Sequence, residues 1–319
     1  MILKGGLTVN NTISQRDAFW TKVYELMIKD KDVIVMTADM GAPALDEIRK
    51  DFPGQFVNIG IAEQNAIAVA SGLVLEGKKV FVYAIAPFIT LRCIELIRVE
   101  NAIMNIPLTI VGVGVGFGYE DSGPTHFLLE DLAVMRSMPN ITVHSITDSI
   151  MASKIAEISY DFNHTNYVRL DRHTPPDIYS ENHDFTQGFS VLREGDGSYI
   201  ISTGIMTHQA LKIAERLKEN GIDIGVIDLY TLPVNDKPFV EAVKSVNKLV
   251  SLEEHFLPGG LGSSVLEVLN DNSVSIPVKR LGLSIKDGYC YRYGGREDVR
   301  NHYKLDESNI EKEIKSFIG

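Results

Sequence analysis

A chain of 319 residues is long for one hydrophobic core and comfortable for two domains of roughly 150 residues each. Its make-up, 45% hydrophobic and 23% charged, is that of an ordinary soluble globular protein. A formal net charge of −11 argues against a nucleic-acid or anionic-membrane surface, while leaving room for a local cationic pocket.

In chain order, Met1 to Asn11 lacks the basic start and long apolar core of a signal peptide, and no later apolar run approaches the ~20 residues that span a bilayer. A cytoplasmic protein is expected. Cys93 and Cys290 lie far apart, without metal-type spacing, and read as buried free thiols in a reducing compartment. Ala18 to Lys29 has helical spacing, with Phe19, Val23, Leu26 and Met27 on one face. Val33 to Thr37 is a buried strand ending at Ala38-Asp39, and Phe56 to Ile59 is a short one. Glu63 to Leu75 reads as a helix closed by Glu76-Gly77, with the glycine as its left-handed cap. Lys79 to Ala84 is a strand and Phe88 to Asn105 one long helix. Leu108 to Val113 is a strand opening into a glycine-rich loop, Gly114 to Gly123. Thr125 to Met135 is expected to be helical, and Ile141 to Ser145 a strand.

The polar stretch Leu170 to Asp184 has no period and carries Pro175 and Pro176, so it reads as a connection between domains. Strands at Ser198 to Ser202, Ile224 to Leu229 and Lys248 to Leu252 follow. Between them lies a helix from His208 to Glu219, capped by Gly221. Glu253 to Ser263 is expected to be a loop that feeds another helix. The alternation predicts an α/β fold of two domains, each a mainly parallel sheet flanked by helices. The domains fall at 1–172 and 191–319, with a linker over 173–190.

Four features carry candidate chemistry. Glu63 stands where the run Phe56-Val-Asn-Ile-Gly-Ile-Ala passes into a small-residue helix, with no compensating charge beside it. An acid at a helix start is worth ~0.3–1 kcal/mol through the macrodipole. The other explanation is a buried carboxylate kept for proton exchange with a bound heterocycle. The loop Gly112-Val-Gly-Val-Gly-Phe-Gly118 lacks the G-x-G-x-x-G spacing, so it reads as a turn that lets backbone approach a ligand or partner. His126, in Ser122-Gly-Pro-Thr-His126, is either structural or sits in a strand-end crevice of the kind where open α/β sheets bind ligands. Arg169 and Arg172 end the first domain; either they are simply solvated or one forks onto a phosphate or sulfonate. A fifth feature is a decoy. Gly195-Asp-Gly197 with Asn220 mimics a Mg²⁺–diphosphate motif, but it precedes a strand and reads as a hairpin turn. No other cluster has ligand spacing for a metal.

Gly60-Ile-Ala-Glu-Gln-Asn65 and Gly123-Pro-Thr-His126 together resemble the transketolase family of thiamine-diphosphate enzymes, and specifically its C-terminal half. Thr37-Ala-Asp39, Phe88 before Arg92 and Glu95, Glu130 to Arg136, Glu253-Glu-His255 and Gly259-Gly-Leu-Gly-Ser263 keep the family's order and spacing. The resemblance covers residues 13 to 319 and implies a pyrimidine-binding domain followed by a transketolase C-terminal domain. It implies that the diphosphate-binding domain, with its Mg²⁺ ligands, belongs to a second polypeptide, giving an α2β2 heterotetramer.

By resemblance, Glu63 bonds the aminopyrimidine N1′ of thiamine diphosphate and promotes its activation. Phe88 stacks on that ring, Asp39 lines the cofactor and substrate channel, and His126 bonds sugar hydroxyls. Arg172, and Arg16 with it, take the substrate's terminal anion. The reaction implied is transfer of a two-carbon ketol unit from a ketose to an aldose. Departures concern the substrate. Ser122 stands where transketolases place an aspartate, with Asp121 one residue earlier. A histidine of these enzymes is replaced within Val111 to Gly114, and a phosphate-side serine appears as Pro43. A 1-deoxyxylulose-5-phosphate synthase, a 2-oxo-acid dehydrogenase β subunit and a non-catalytic scaffold are the alternatives.

Overall fold

The computed structural model describes residues 13–319, so the expectation made for Met1 to Asn11 lies outside the described residues. The first sheet has seven strands in the order β10-β5-β6-β4-β3-β1-β2. Its parallel members are β1 (Val33–Thr37), β2 (Phe56–Asn58), β3 (Lys79–Ile85), β4 (Thr109–Val113), β5 (Ile141–Ser145) and β6 (Thr165–Leu170). The central strands are apolar on both faces because helices cover both. Val33 and Val35 of β1 face one way, onto Phe19, Trp20 and Val23 of α1 (Gln15–Lys29). Ile34 and Met36 face the other, toward Ala66, Ile67 and Ala70 of α3 (Glu63–Leu75). Helices α2 (Pro43–Asp51) and α7 (Ser149–Asp161) complete the α1 side.

The second sheet has five strands in the order β12-β11-β8-β9-β7. These are β7 (Phe189–Arg193), β8 (Ser198–Ser202), β9 (Gly225–Leu229), β11 (Lys248–Phe256) and β12 (Val278–Leu283), with β7 antiparallel to β9. Helices α8 (Met206–Glu219), α9 (Asp236–Val243), α10 (Leu261–Asp271), α11 (Arg296–His302) and α12 (Glu307–Ile318) flank it. Strand β10 (Thr231–Leu232) follows β9 yet pairs antiparallel with β5, so the second half of the chain adds an edge strand to the first sheet. One apolar cluster runs from Val82 and Ile110 through Leu132 and Val143 to Phe189 and Ile227, joining the two halves in a common core.

Four expectations are corrected. The helix expected over 88–105 is segmented: α4 (Ala86–Ile89), a 3-10 turn at Leu91–Cys93, α5 (Ile94–Leu96) and a π-helix over Ile97–Ile103. The Thr90 hydroxyl donates to Ala86 O at 2.6 Å, and Thr90 leaves helical geometry with ψ −80. The helix expected over 125–135 shrinks to α6 (Asp131–Met135), because Leu128 pairs with Gly116 and closes the glycine loop as a β-bridge. Strand β11 runs through Glu253, Glu254 and His255 rather than ending before them. Finally, Gly195-Asp-Gly197 is not a hairpin turn, since β9 lies between β7 and β8. A side chain at Gly195 would overlap the backbone of Gly225, so packing accounts for that glycine.

Candidate active site

The site is built at the carboxyl ends of the first sheet's parallel strands, where outgoing loops and helix N-termini converge. At the end of β2, the Asn58 amide receives the N–H of Asp39 at 3.1 Å and that of Gly60 at 3.0 Å, and donates to Asp39 Oδ1 at 3.1 Å. This stitches the exits of β1 and β2 together. Gly60 (φ 74) then turns the chain into α3, and Glu63 enters its first turn.

Glu63 is 3% exposed. It has a compensating charge after all, supplied from far along the chain: Arg92 Nη1 donates to Glu63 Oε2 at 2.7 Å. The same guanidinium lies 4.3 Å from the centroid of the Phe88 ring, at the exit of β3. Phe88 in turn meets the His126 ring edge-on, with centroids 5.2 Å apart. His126 Nδ1 is 3.0 Å from the Thr125 hydroxyl.

Tyr119 extends this line, with its ring centroid 6.0 Å from that of His126. It explains part of the glycine loop. Gly114 has φ +83, and a Cβ there would fall inside the Tyr119 ring; a Cβ at Gly116 would strike Glu254. Tyr119 also carries Arg172, whose guanidinium carbon is 4.9 Å from the ring centroid. Arg172 Nη1 donates to Asp121 Oδ1 at 3.0 Å, and Ser122 Oγ donates to the same oxygen at 3.1 Å. Desolvation pushes the Asp121 carboxyl up, but the Ser122 hydroxyl and the Arg172 guanidinium overcome it and hold it below the usual range.

The structure therefore brings Glu63, Phe88, His126, Asp121, Ser122 and Arg172 into one continuous line of contacts. Arg16 reaches it from α1. It pairs with Asp17 at 3.3 Å, and its charge opposes the upward shift that burial imposes on Tyr119. Asp39 is exposed and bonds Asn58, one strand from this line. Arg169 does not join this line: it is buried, donating to Asp131 Oδ2 at 2.6 Å and to Ser145 Oγ at 2.7 Å. Arg92 entered the sequence reading only as part of a matching segment, with no role, and Tyr119 did not enter it. Their signal was position only, Arg92 four residues after Phe88 and Tyr119 at the end of the glycine run.

The fit of these residues to an aminopyrimidine can be tested on Arg92. A guanidinium is a flat N–H-bearing plane. Here it donates to the Glu63 carboxylate and lies against the Phe88 ring, the two contacts a protonated aminopyrimidine requires. Among the described residues there is no group of three or more His, Cys, Asp or Glu placed to hold a metal ion.

Comparison with known proteins agrees with this architecture. Residues 11–176 match the family model for the transketolase pyrimidine binding domain, and residues 188–310 that for the transketolase C-terminal domain. The chain is 33% identical over 314 residues to one of the subunits of the apulose-4-phosphate transketolase of Phocaeicola vulgatus, covering 97% of this chain and 99% of that protein. It is 32% identical over 271 residues to the 6-deoxy-6-sulfo-D-fructose transketolase subunit SqwH of Clostridium sp. (strain MSTE9), covering 84% of each. A solved structure described as a split gene transketolase, inactive β4 tetramer, superposes with a TM-score of 0.84 at 31% identity, over 96% of this chain and 98% of that one. Two α/β units that match the transketolase pyrimidine-binding and C-terminal domain models define the class of protein. The chain belongs to the transketolase family. Within it, the chain is the C-terminal, β part of a split transketolase, a transferase of the transketolase type.

Proposed function

We propose that this chain works with a second polypeptide to move a two-carbon ketol unit from a ketose to an aldose, one end of the donor carrying a phosphate or sulfonate. The observation that carries the reading is the buried Glu63 carboxylate, set in one line with Phe88 and His126. When bound, thiamine diphosphate supplies the carbon nucleophile and electron sink needed to break and remake a bond beside a ketone. Glu63 and Phe88 would hold the pyrimidine end through the carboxylate and ring face that they present to Arg92 here. A carboxylate shielded from water shares its proton with the ring nitrogen rather than with solvent. Asp39 borders the channel from the end of β1. With Nδ1 bonded to Thr125, His126 has Nε2 left to exchange a proton with a sugar hydroxyl. Asp121 and Ser122 face the sugar chain, and Arg172 and Arg16 take the anion. The named substrates of the two relatives, one a phosphate and one a sulfonate, support an anionic end.

In this reading 1–172 is the pyrimidine-binding domain, 173–190 the linker and 191–319 the C-terminal domain. The partner subunit supplies the diphosphate and Mg²⁺ ligands, and the assembly is an α2β2 heterotetramer acting in carbohydrate metabolism in the cytoplasm. Among the described residues no helix is long and apolar enough to cross a membrane. The test is Glu63→Gln in the assembled enzyme. Ketol transfer should fall by about 10²–10⁴-fold, the usual worth of a positioned acid–base group, while the melting temperature holds. Full activity in that variant would overturn the reading.

A further inference from the structure

Arg172 stands on backbone that leaves β6 at Leu170 and has no regular structure beyond it. Its neighbour Asp171 is 1% exposed. Asp171 Oδ1 accepts from the His173 N–H at 2.8 Å and from Arg296 Nη1 at 3.0 Å, and Arg296 Nη2 lies 2.8 Å from Oδ2. The Asp171 N–H donates to Gln15 Oε1 at 2.8 Å, and Gln15 Nε2 donates to Ile146 O at 3.1 Å. Gln15 directly precedes Arg16, so the same buried amide ties the two arginine-bearing segments together.

Arg296 comes from the C-terminal domain and has a second hold. It forks onto Glu254, with Nε 3.0 Å from Oε1 and Nη2 2.6 Å from Oε2. Glu254 Oε2 accepts the Phe117 N–H at 3.2 Å, at the start of the loop that carries Tyr119 and Asp121. Arg300 Nε adds a bond to Glu254 Oε1 at 2.6 Å, and His173 Nε2 is 3.2 Å from Glu120 Oε1. One guanidinium thus holds one segment directly and the other through Glu254, and side chains of the two, Arg172 on one and Tyr119 and Asp121 on the other, touch each other.

Two arginines and two carboxylates buried together return little net stability, because desolvation offsets their attraction. What forked pairs supply is fixed geometry. We propose that Arg296 is a positioning residue for substrate recognition: the C-terminal domain, through its hold on Asp171 and Glu254, aims Arg172 at the anionic end of the donor sugar. The inference rests on Arg172 being that anion's partner.

The experiment uses the enzyme assembled with its partner subunit, and donors of one carbon skeleton ending in phosphate, sulfonate or a plain hydroxyl. Arg296→Lys keeps the charge and loses the fork. It should raise KM for the anionic donors about tenfold with kcat within about twofold, and leave the hydroxyl donor unchanged. The phosphate and sulfonate arms show which anion the site prefers. In an Arg172→Ala background, Arg296→Lys should add nothing, whereas a merely structural residue would add its full effect. Equal losses on all donors, no change on any, or additivity in the double variant would overturn the inference. Arg172→Ala alone tests the underlying reading: if it treats all donors alike, the anion assignment itself has failed. Should Arg296→Lys not assemble, the isosteric Asp171→Asn takes its place, with the same expected pattern and the same overturning results.

Discussion

Gly114 shows how a single backbone position shapes the site. With φ +83 and no room for a Cβ, it lets the Tyr119 ring lie where a side chain would stand, in contact with both His126 and Arg172. Gly114→Ala combines left-handed backbone strain with overpacking, so about 1–3 kcal/mol of stability should be lost. Thermal melting measures the loss, and an unchanged melting temperature would mean that Tyr119 moves aside freely. Phe88 makes a second prediction at this scale. Phe88→Ala removes the aromatic face and should weaken thiamine diphosphate binding by the assembled enzyme by about 1 kcal/mol, read by calorimetry. Unchanged affinity would remove the ring from the cofactor's contacts. Glu63, Phe88 and His126 stood out as candidates in the sequence through their motifs, and Arg172 through the family resemblance; the fold brings these candidates into one line of contacts. The pairings of Arg92 with Glu63 and of Arg296 with Asp171 were not legible, since they span 29 and 125 residues and only the fold makes them.

Elements were legible where local rules decide them. The left-handed glycines after α3 and α8, Gly77 and Gly221, have φ 85 and 80, as expected for C-terminal caps. Errors came where tertiary partners override local pattern. Glu253 to His255 read as a loop because charged residues are rare in a buried strand. The fold answers each acid: Glu253 accepts the N–H groups of Leu261 and Gly262 at 2.6 and 2.9 Å, and Glu254 receives two arginines. Another buried acid, Asp228 on β9, joins the halves by accepting from Thr147 at 2.6 Å, Tyr179 at 2.9 Å and Thr207 at 2.9 Å. Burial pushes its carboxyl from 3.8 up to about 7, against those hydrogen bonds. A folded pKa above the unfolded one means stability complete below the unfolded value and lost as pH rises through the folded one. Asp228→Asn, held uncharged, should therefore gain melting temperature relative to the parent as pH rises from about 4 to about 7. A difference that stays flat over that range would show Asp228 ionised throughout.

At the scale of the whole molecule, α3 is notable for what it leaves uncovered. Val69 and Leu75 on its outer side, with Ile61 just before it, Ile103 on the neighbouring π-helix and Met104 at that helix's cap, are exposed. Exposed apolar side chains gathered on neighbouring elements can mark an interaction surface, and Val69 and Leu75 lie on the helix that carries Glu63. This supports a site finished by another subunit. The central claim is that this chain holds the pyrimidine end and the sugar but needs a partner for the rest. The most direct measurement is Mg²⁺-dependent thiamine diphosphate binding and ketol transfer, by the chain alone and after mixing with its partner subunit. The account predicts weak or no binding and no transfer alone, and both on mixing. Tight Mg²⁺-dependent binding with transfer by the isolated chain, or none in the mixture, would contradict it.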